Sequence, residues 1–161
     1  MPTSRRFAVA VHMLTLMAWA EDEPLKSEAV ADSVNTNPVV IRRIMCALSR
    51  AGLVTSQTGA AGGSRLSRKP PRISLLDIYR AVEDGDAFLL HPNPNQDCPV
   101  GMSIETVLES VLHDVNWAME KALSRVTVAD VLTRVQSCKR SGKRSSRHRS
   151  TDLSGHRQFN E

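Results

Sequence analysis

Apolar residues recur with a helical period along most of this chain, and the breaks in that period mark its elements. Residues 4–19 open with Ser4, able to cap a helix, and continue with mostly apolar helix formers until Glu21-Asp22-Glu23-Pro24 stops the run. A short helix is expected over 27–34, with Ser27 as its N-cap, Ala29, Val30 and Val34 turned to the core, and Asn35-Thr36 ending it. Asn37-Pro38 then supplies a cap and a proline at the first helical position, where a missing N–H costs nothing. Ile41, Ile44, Met45 and Leu48 follow at i, i+3, i+4 and i+7 and make one apolar stripe. At about 100° per residue, Val39, Arg42, Arg43, Cys46 and Arg50 fall on the other side. Gly52 is placed to close this helix in the left-handed conformation.

Downstream, the strand-like runs 53–57 and 64–67 flank a glycine-rich link and predict a hairpin. Ser74 with Asp77 three residues on forms a capping-box pattern, and Leu75, Ile78, Tyr79 and Val82 give the buried face of the helix it opens. Residues 90–101, with Pro92, Pro94 and Pro99, predict a loop. A long helix follows over 103–124, in which Ile104, Leu108, Val111, Val115, Ala118 and Ala122 are spaced 4, 3, 4, 3, 4. That is coiled-coil spacing, on a stripe widened by Val107, Leu112, Met119 and Leu123. Thr127 with Asp130 caps a last short helix, and residues from 137 onward have too few apolar side chains to fold and are expected to be disordered.

These elements describe a mainly α chain with a small β-hairpin, a winged helix-turn-helix plus a long C-terminal dimerisation helix. The expected division is a DNA-binding unit over 1–85, a loop, the long helix and a short terminal helix over 86–136, and a basic tail over 137–161. In such an arrangement the second helix of the motif enters the major groove, where each base pair shows a distinct set of donors and acceptors. Asn35, Thr36, Asn37, Val39, Arg42 and Arg43 are the candidates for that contact; Thr58, Ser64 and Arg65 are candidates in the wing, where Gly59, Gly62 and Gly63 let backbone approach phosphate.

Charge sharpens this picture. The net +4 is spread unevenly: residues 1–81 carry +5, residues 82–136 carry −6 and residues 137–161 carry +5. A basic N-terminal half suits a polyanion, and the basic tail is expected to add affinity that is independent of sequence. No run of about 18 apolar residues occurs, nor a signal-peptide pattern, so neither a membrane partner nor export is expected and the reading is cytoplasmic. Cys46, Cys98 and Cys138 are odd in number and scattered, which argues against a disulfide framework or a structural metal site. No G-K-[ST] follows the glycine-rich link, so it is not a P-loop. No Ser/His/Asp, Cys/His or paired-carboxylate pattern with usable spacing points to catalysis. His12, among apolar neighbours, is read as a core histidine, and His113 beside Asp114 as a surface pair.

An ordered set of segments then resembles the Rrf2 family of bacterial transcription regulators over about residues 3–135. The segments are Ser4-Arg5-Arg6-Phe7-Ala8-Val9, residues 31–38, Ala51-Gly52-Leu53-Val54, Gly62-Gly63-Ser64-Arg65-Leu66 and residues 73–83. The resemblance implies a homodimer held by the long helix, from about Ile104 to Leu123, and double-stranded DNA bound through Asn37, Val39, Val40, Arg42 and the wing, with Arg5 added at the chain's basic start. It also implies repression at a near-palindromic site. Several members hold an iron–sulfur cluster through three cysteines in the loop before the long helix. Here that loop holds Cys98 alone, with Pro92 and Ile104 six residues to either side, which resembles a cluster-free branch and predicts no cofactor. Cys98 itself is expected to be a small buried hydrophobe, as free cysteines usually are. The alternative is a redox sensor whose thiol is activated by the dipole of the following helix. A further alternative for the whole chain is a winged-helix interaction adaptor that binds no DNA, against which the basic face of Arg42 and Arg43 speaks.

Overall fold

A computed structural model describes the backbone of residues 5–21, 23–57, 59, 62–83, 85, 88, 90 and 92–149, with side chains as far as residue 139. Ser4 and Thr58 lie outside the described residues, as does the part of the expected tail over 150–161. Helix α1 (Arg6–Trp19), α2 (Ser27–Val34) and α3 (Pro38–Arg50) precede a hairpin of β1 (Val54–Gln57) and β2 (Gly63–Leu66). A 3-10 turn at Pro70–Arg72 leads to α4 (Leu75–Val82), then α5 (Pro99–Ser124) and α6 (Val128–Arg149).

The core forms where the sequence periodicity puts it. Ile41, Ile44, Met45 and Leu48 of α3 are buried together with Met13 and Leu14 of α1, Val30 of α2, Ile78 and Val82 of α4, and Val128 at the start of α6. Each fully buried side chain of this size contributes roughly 1.5–3 kcal/mol, so this cluster, drawn from five helices, carries most of the stability. His12, read as a core residue, is instead exposed, and its Nε2 lies 3.1 Å from the Ser33 hydroxyl of α2. It stands on the rim of α1 rather than on the stripe formed by Ala10, Met13, Leu14 and Met17.

Helix boundaries depart from expectation in four places, each for a local reason. Helix α1 starts at Arg6 with Arg5 at its N-cap. Helix α2 takes Lys26, not Ser27, as its N-cap, so the Ser27 hydroxyl is free to pair with side chains instead of the backbone. Helix α5 starts at Pro99, earlier than expected, because the proline serves the first helical turn rather than the loop. Helix α6 is not short and does not end at Gln136; it continues to Arg149. Extending a formed helix costs little beside nucleating one, and the Ser, Lys and Arg residues after Gln136 include no proline to stop it.

Two short antiparallel joints hold the wing and the C-terminal helices to the core. The β1–β2 register pairs Val54 with Leu66, Thr55 with Arg65, Ser56 with Ser64 and Gln57 with Gly63. Leu25, in the α1–α2 link, then exchanges backbone hydrogen bonds with Ser64 at 2.9 and 2.8 Å and makes a third strand one residue long. Ile73 and Leu75 pair in the same way with Val126 and Val128. Both capping boxes expected from sequence are present: the Ser74 hydroxyl accepts from the Asp77 N–H at 3.1 Å while Asp77 accepts from the Ser74 N–H at 2.9 Å, and Thr127 and Asp130 repeat the arrangement. Since Ser74 organises both the start of α4 and the joint to Thr127, Ser74→Ala is expected to cost about 1 kcal/mol. Thermal unfolding followed by circular dichroism should show it as a midpoint about 2–4 °C lower.

Candidate nucleic-acid interface

The turn between α2 and α3 is built by two asparagines with different tasks. Asn35 takes the left-handed conformation at φ 57°, which turns the chain sharply out of α2, and its N–H and that of Thr36 bond back to Asp32 and Ala31. Asn37 caps α3, its Oδ1 accepting from the Val39 N–H at 2.8 Å, and Pro38 follows at the first position. Of the sequence candidates, Asn35 and Asn37 thus shape the backbone, and Thr36 is half-buried. Their placement delivers Val39 and Val40, both exposed, together with exposed Arg42 and Arg43, on the first turns of α3.

A cleft of about 880 Å3 opens between this helix and the hairpin. Its walls are Lys26, Ser27 and Glu28 from α2 and its lead-in, Arg42, Cys46, Ser49 and Arg50 from α3, and Ser56, Gln57, Gly62 and Gly63 from the hairpin. The cleft therefore brings the second helix and the wing into one surface. Arg5, exposed at the N-cap of α1, is not among its walls.

The wing residues separate into two kinds. Arg65 is exposed opposite Thr55. Ser64 lines the cleft but is largely buried: it is 8% exposed, and its hydroxyl lies 2.9 Å from that of Ser56 while its backbone is engaged by Leu25. Gly63 is required by packing, because a Cβ there would come within 2.9 Å of Pro24 and 3.0 Å of the Leu25 nitrogen. The period-two reading of so short a strand did not reveal that its inner face is pressed on the α1–α2 link.

Arg42 has partners that its position in the sequence does not announce. Its Nη2 donates to Glu28 Oε1 at 2.6 Å and its Nε to the Ser27 hydroxyl at 3.3 Å. The Glu28 carboxyl is held below its usual range, first by a backbone N–H in the opening turn of α2 and then by Arg42, so it is ionised throughout the neutral range. Glu28, Lys26 and Arg50 are the charged cleft residues that the sequence reading did not assign to the site, and Ser27, Cys46, Ser49, Ser56 and Gln57 are uncharged ones. The only sequence signal for Glu28 is that of an acid in a first helical turn, which does not name a partner 14 residues away.

Cys98 is exposed rather than buried, at the N-cap of α5. The backbone N–H groups of Gly101 and then Val100 favour its thiolate and pull the thiol below its ordinary value. Cys46 is exposed on α3 and Cys138 on α6. The three thiols therefore sit on three separate elements, and among the described residues no three His, Cys, Asp or Glu side chains are grouped as a metal ion needs. This donor set does not fit an iron–sulfur cluster. Among the described residues, no helix is long and apolar enough to cross a membrane.

Comparison with known proteins bears on the family and the fold. The model of the Rrf2 family, described as iron-dependent transcriptional regulators, matches residues 3–134. The Bacillus subtilis protein YwnA, named as an HTH-type transcriptional regulator, is 45% identical over 128 residues, which span 79% of this chain and 94% of YwnA. The Synechocystis protein slr0846, named in the same way, is 29% identical over 74% of this chain and 78% of its own length. Among solved structures, one described as that of a candidate DNA-binding protein superposes with a TM-score of 0.66 at 41% identity, covering 79% of this chain and 98% of that one. The T. potens IscR structure shares the fold at a TM-score of 0.66 and 24% identity, covering 86% of this chain and 90% of that one. The chain belongs to the Rrf2 family of transcriptional regulators, with YwnA among its similar relatives.

Proposed function

We propose that this regulator acts as a homodimer that reads a near-palindromic operator with α3 and the hairpin, represses by occupying it, and needs neither an iron–sulfur cluster nor any catalytic step. The observation that carries the reading is the shared cleft, which sets the polar face of α3 beside the wing with Lys26, Arg42 and Arg50 on its walls. Basic side chains supply the phosphate term, and the exposed Val39, Val40, Arg42 and Arg43 supply groups able to meet base edges and thymine methyls. An interaction adaptor has no use for these cations on this face. The cluster-free reading rests on the three separated thiols.

Dimerisation is inferred from α5, which has no buried residue although it is the longest helix. Val107, Val111 and Val115 are 56, 50 and 41% exposed, and they lie in or beside the heptad stripe that a second long helix would cover. Pairing two copies through α5 places two α3 helices to address half-sites about 34 Å apart. Light scattering at micromolar concentration should give twice the chain mass of 17.7 kDa; a monomer contradicts the reading.

Selection of bound duplexes from a random library tests the function as a whole and should return one site with internal two-fold symmetry. With that site in hand, Arg42→Ala is expected to lower affinity roughly 5- to 150-fold, or about 1–3 kcal/mol, with folding unchanged because Arg42 is exposed. Unaltered affinity of the folded variant in a mobility-shift titration would return Arg42 to an ordinary solvated face.

One observation favours a second layer, control through Cys98: its thiol is exposed and its thiolate is favoured at the start of the helix assigned to dimerisation. Mass spectrometry during limited iodoacetamide treatment at pH 7 should find Cys98 modified before Cys46 and Cys138, and the modified protein should bind its operator differently from a treated Cys98→Ser variant. Equal rates at the three thiols, or identical binding, would remove this layer.

A further inference from the structure

We propose that Glu28 and Ser27 of α2 buttress Arg42 so that its free edge reads one guanine in each half-site, making Glu28 a determinant of base specificity although it touches no base itself. The inference rests on the DNA-reading function proposed above and adds the mechanism and the base.

A guanidinium has five N–H donors in a rigid planar fork. In Arg42 the side edge is occupied: Nε donates to the Ser27 hydroxyl at 3.3 Å and Nη2 to Glu28 Oε1 at 2.6 Å. What remains is the end edge, where one Nη1 hydrogen lies beside the second hydrogen of Nη2; the other Nη1 hydrogen points back toward Cδ. Two parallel donors match two adjacent acceptors. In the major groove guanine alone presents such a pair, N7 and O6; adenine offers an acceptor beside a donor, thymine one acceptor beside a methyl, and cytosine a donor.

Stability does not account for the pair. The two side chains are 58% and 59% exposed, and exposed ion pairs contribute little to folding. A carboxylate on the wall of a cleft meant for DNA also repels phosphate, which disfavours binding in general. Its compensating effect is order. An unrestrained arginine loses much of its rotamer freedom when it meets a base, whereas Arg42 is held in one pose beforehand by α2, an element anchored in the core through Val30 and Ala31. Ser27 completes the arrangement: by standing inside the first turn rather than at the cap, it presents its hydroxyl both to Glu28 and to Arg42.

Library selection and competition titrations on full-length wild type, Glu28→Ala, Glu28→Gln, Arg42→Ala and the double variant Glu28→Ala/Arg42→Ala test the proposal. Wild type should prefer guanine roughly 5- to 150-fold over other bases at one position per half-site. Glu28→Ala should reduce that preference by about two- to fivefold, the range open to an exposed ion pair, and leave the other positions as they are. Glu28→Gln, whose amide oxygen still accepts from Nη2, should retain most of it. Arg42→Ala should erase it, and the double variant should match Arg42→Ala alone. Glu28→Ala is expected to keep its thermal midpoint, so the change is not one of folding. The buttress is overturned if Glu28→Ala tightens or weakens binding to every sequence alike, if its effect persists without Arg42, or if the base lost with Arg42 is not guanine. A wild-type protein that selects no sequence at all overturns the DNA-reading function itself, a result distinct from a selected site that ignores Glu28.

Discussion

Burial of Ile41, Ile44, Met45 and Leu48 against α1 and α4 is the constraint on which the rest of this structure depends. A helix that commits one stripe to the core has no choice about what it shows on the other side. With those four positions inward, the rotation of α3 is fixed, and Val39, Arg42, Arg43, Cys46 and Arg50 must face out. The Asn37 cap and Pro38 fix where that helix starts, so the first outward turn is as well defined as the core. Specific recognition needs such rigidity, because a base edge rewards only donors held close to their final geometry.

The wing depends on the same core through its own buried residues Leu53 and Val54 and through one backbone pairing to the α1–α2 link. Leu25 and Ser64 exchange two backbone hydrogen bonds, and the absence of a side chain at Gly63 lets the link come close enough to make them. The hairpin is two strands of four residues, which would be marginal alone. Tied to the α1–α2 link and continuing from Leu53 and Val54 of the core, it becomes a fixed wall of the cleft. Acidic and basic groups on the opposite wall are then arranged by α2, whose first turn carries Ser27 and Glu28 to Arg42.

Much of this was legible in the sequence because it is local. The caps at Asn37, Ser74 and Thr127, the stripe of α3, the hairpin glycines and the long α5 each depend on residues within one or two turns of one another, and periodicity reads them directly. The features that escaped the sequence depend on contacts between distant segments. Glu28 meets Arg42 only because α2 crosses α3, Ser64 is buried only because Leu25 returns to pair with it, and His12 is outward only because α1 buries a narrower stripe than its apolar composition suggests. Composition argues for disorder after Gln136, whereas as far as Arg149 the basic and polar residues continue a helix already nucleated and anchored by Val128. The exposed face of α5 is the reverse case: its heptad spacing is plain in the sequence, while among the described residues Val107, Val111 and Val115 are left exposed.

The central claim is that the outward face of α3 and the adjoining hairpin are the surface that meets duplex DNA. Amide hydrogen exchange on the full chain, with and without its selected duplex, tests this most directly. The account predicts slowed exchange in residues 35–45 and 54–66, with the middle of α5 unchanged. Tight binding of the duplex with no added protection in residues 35–45, and protection confined to α4 or α6, would contradict it.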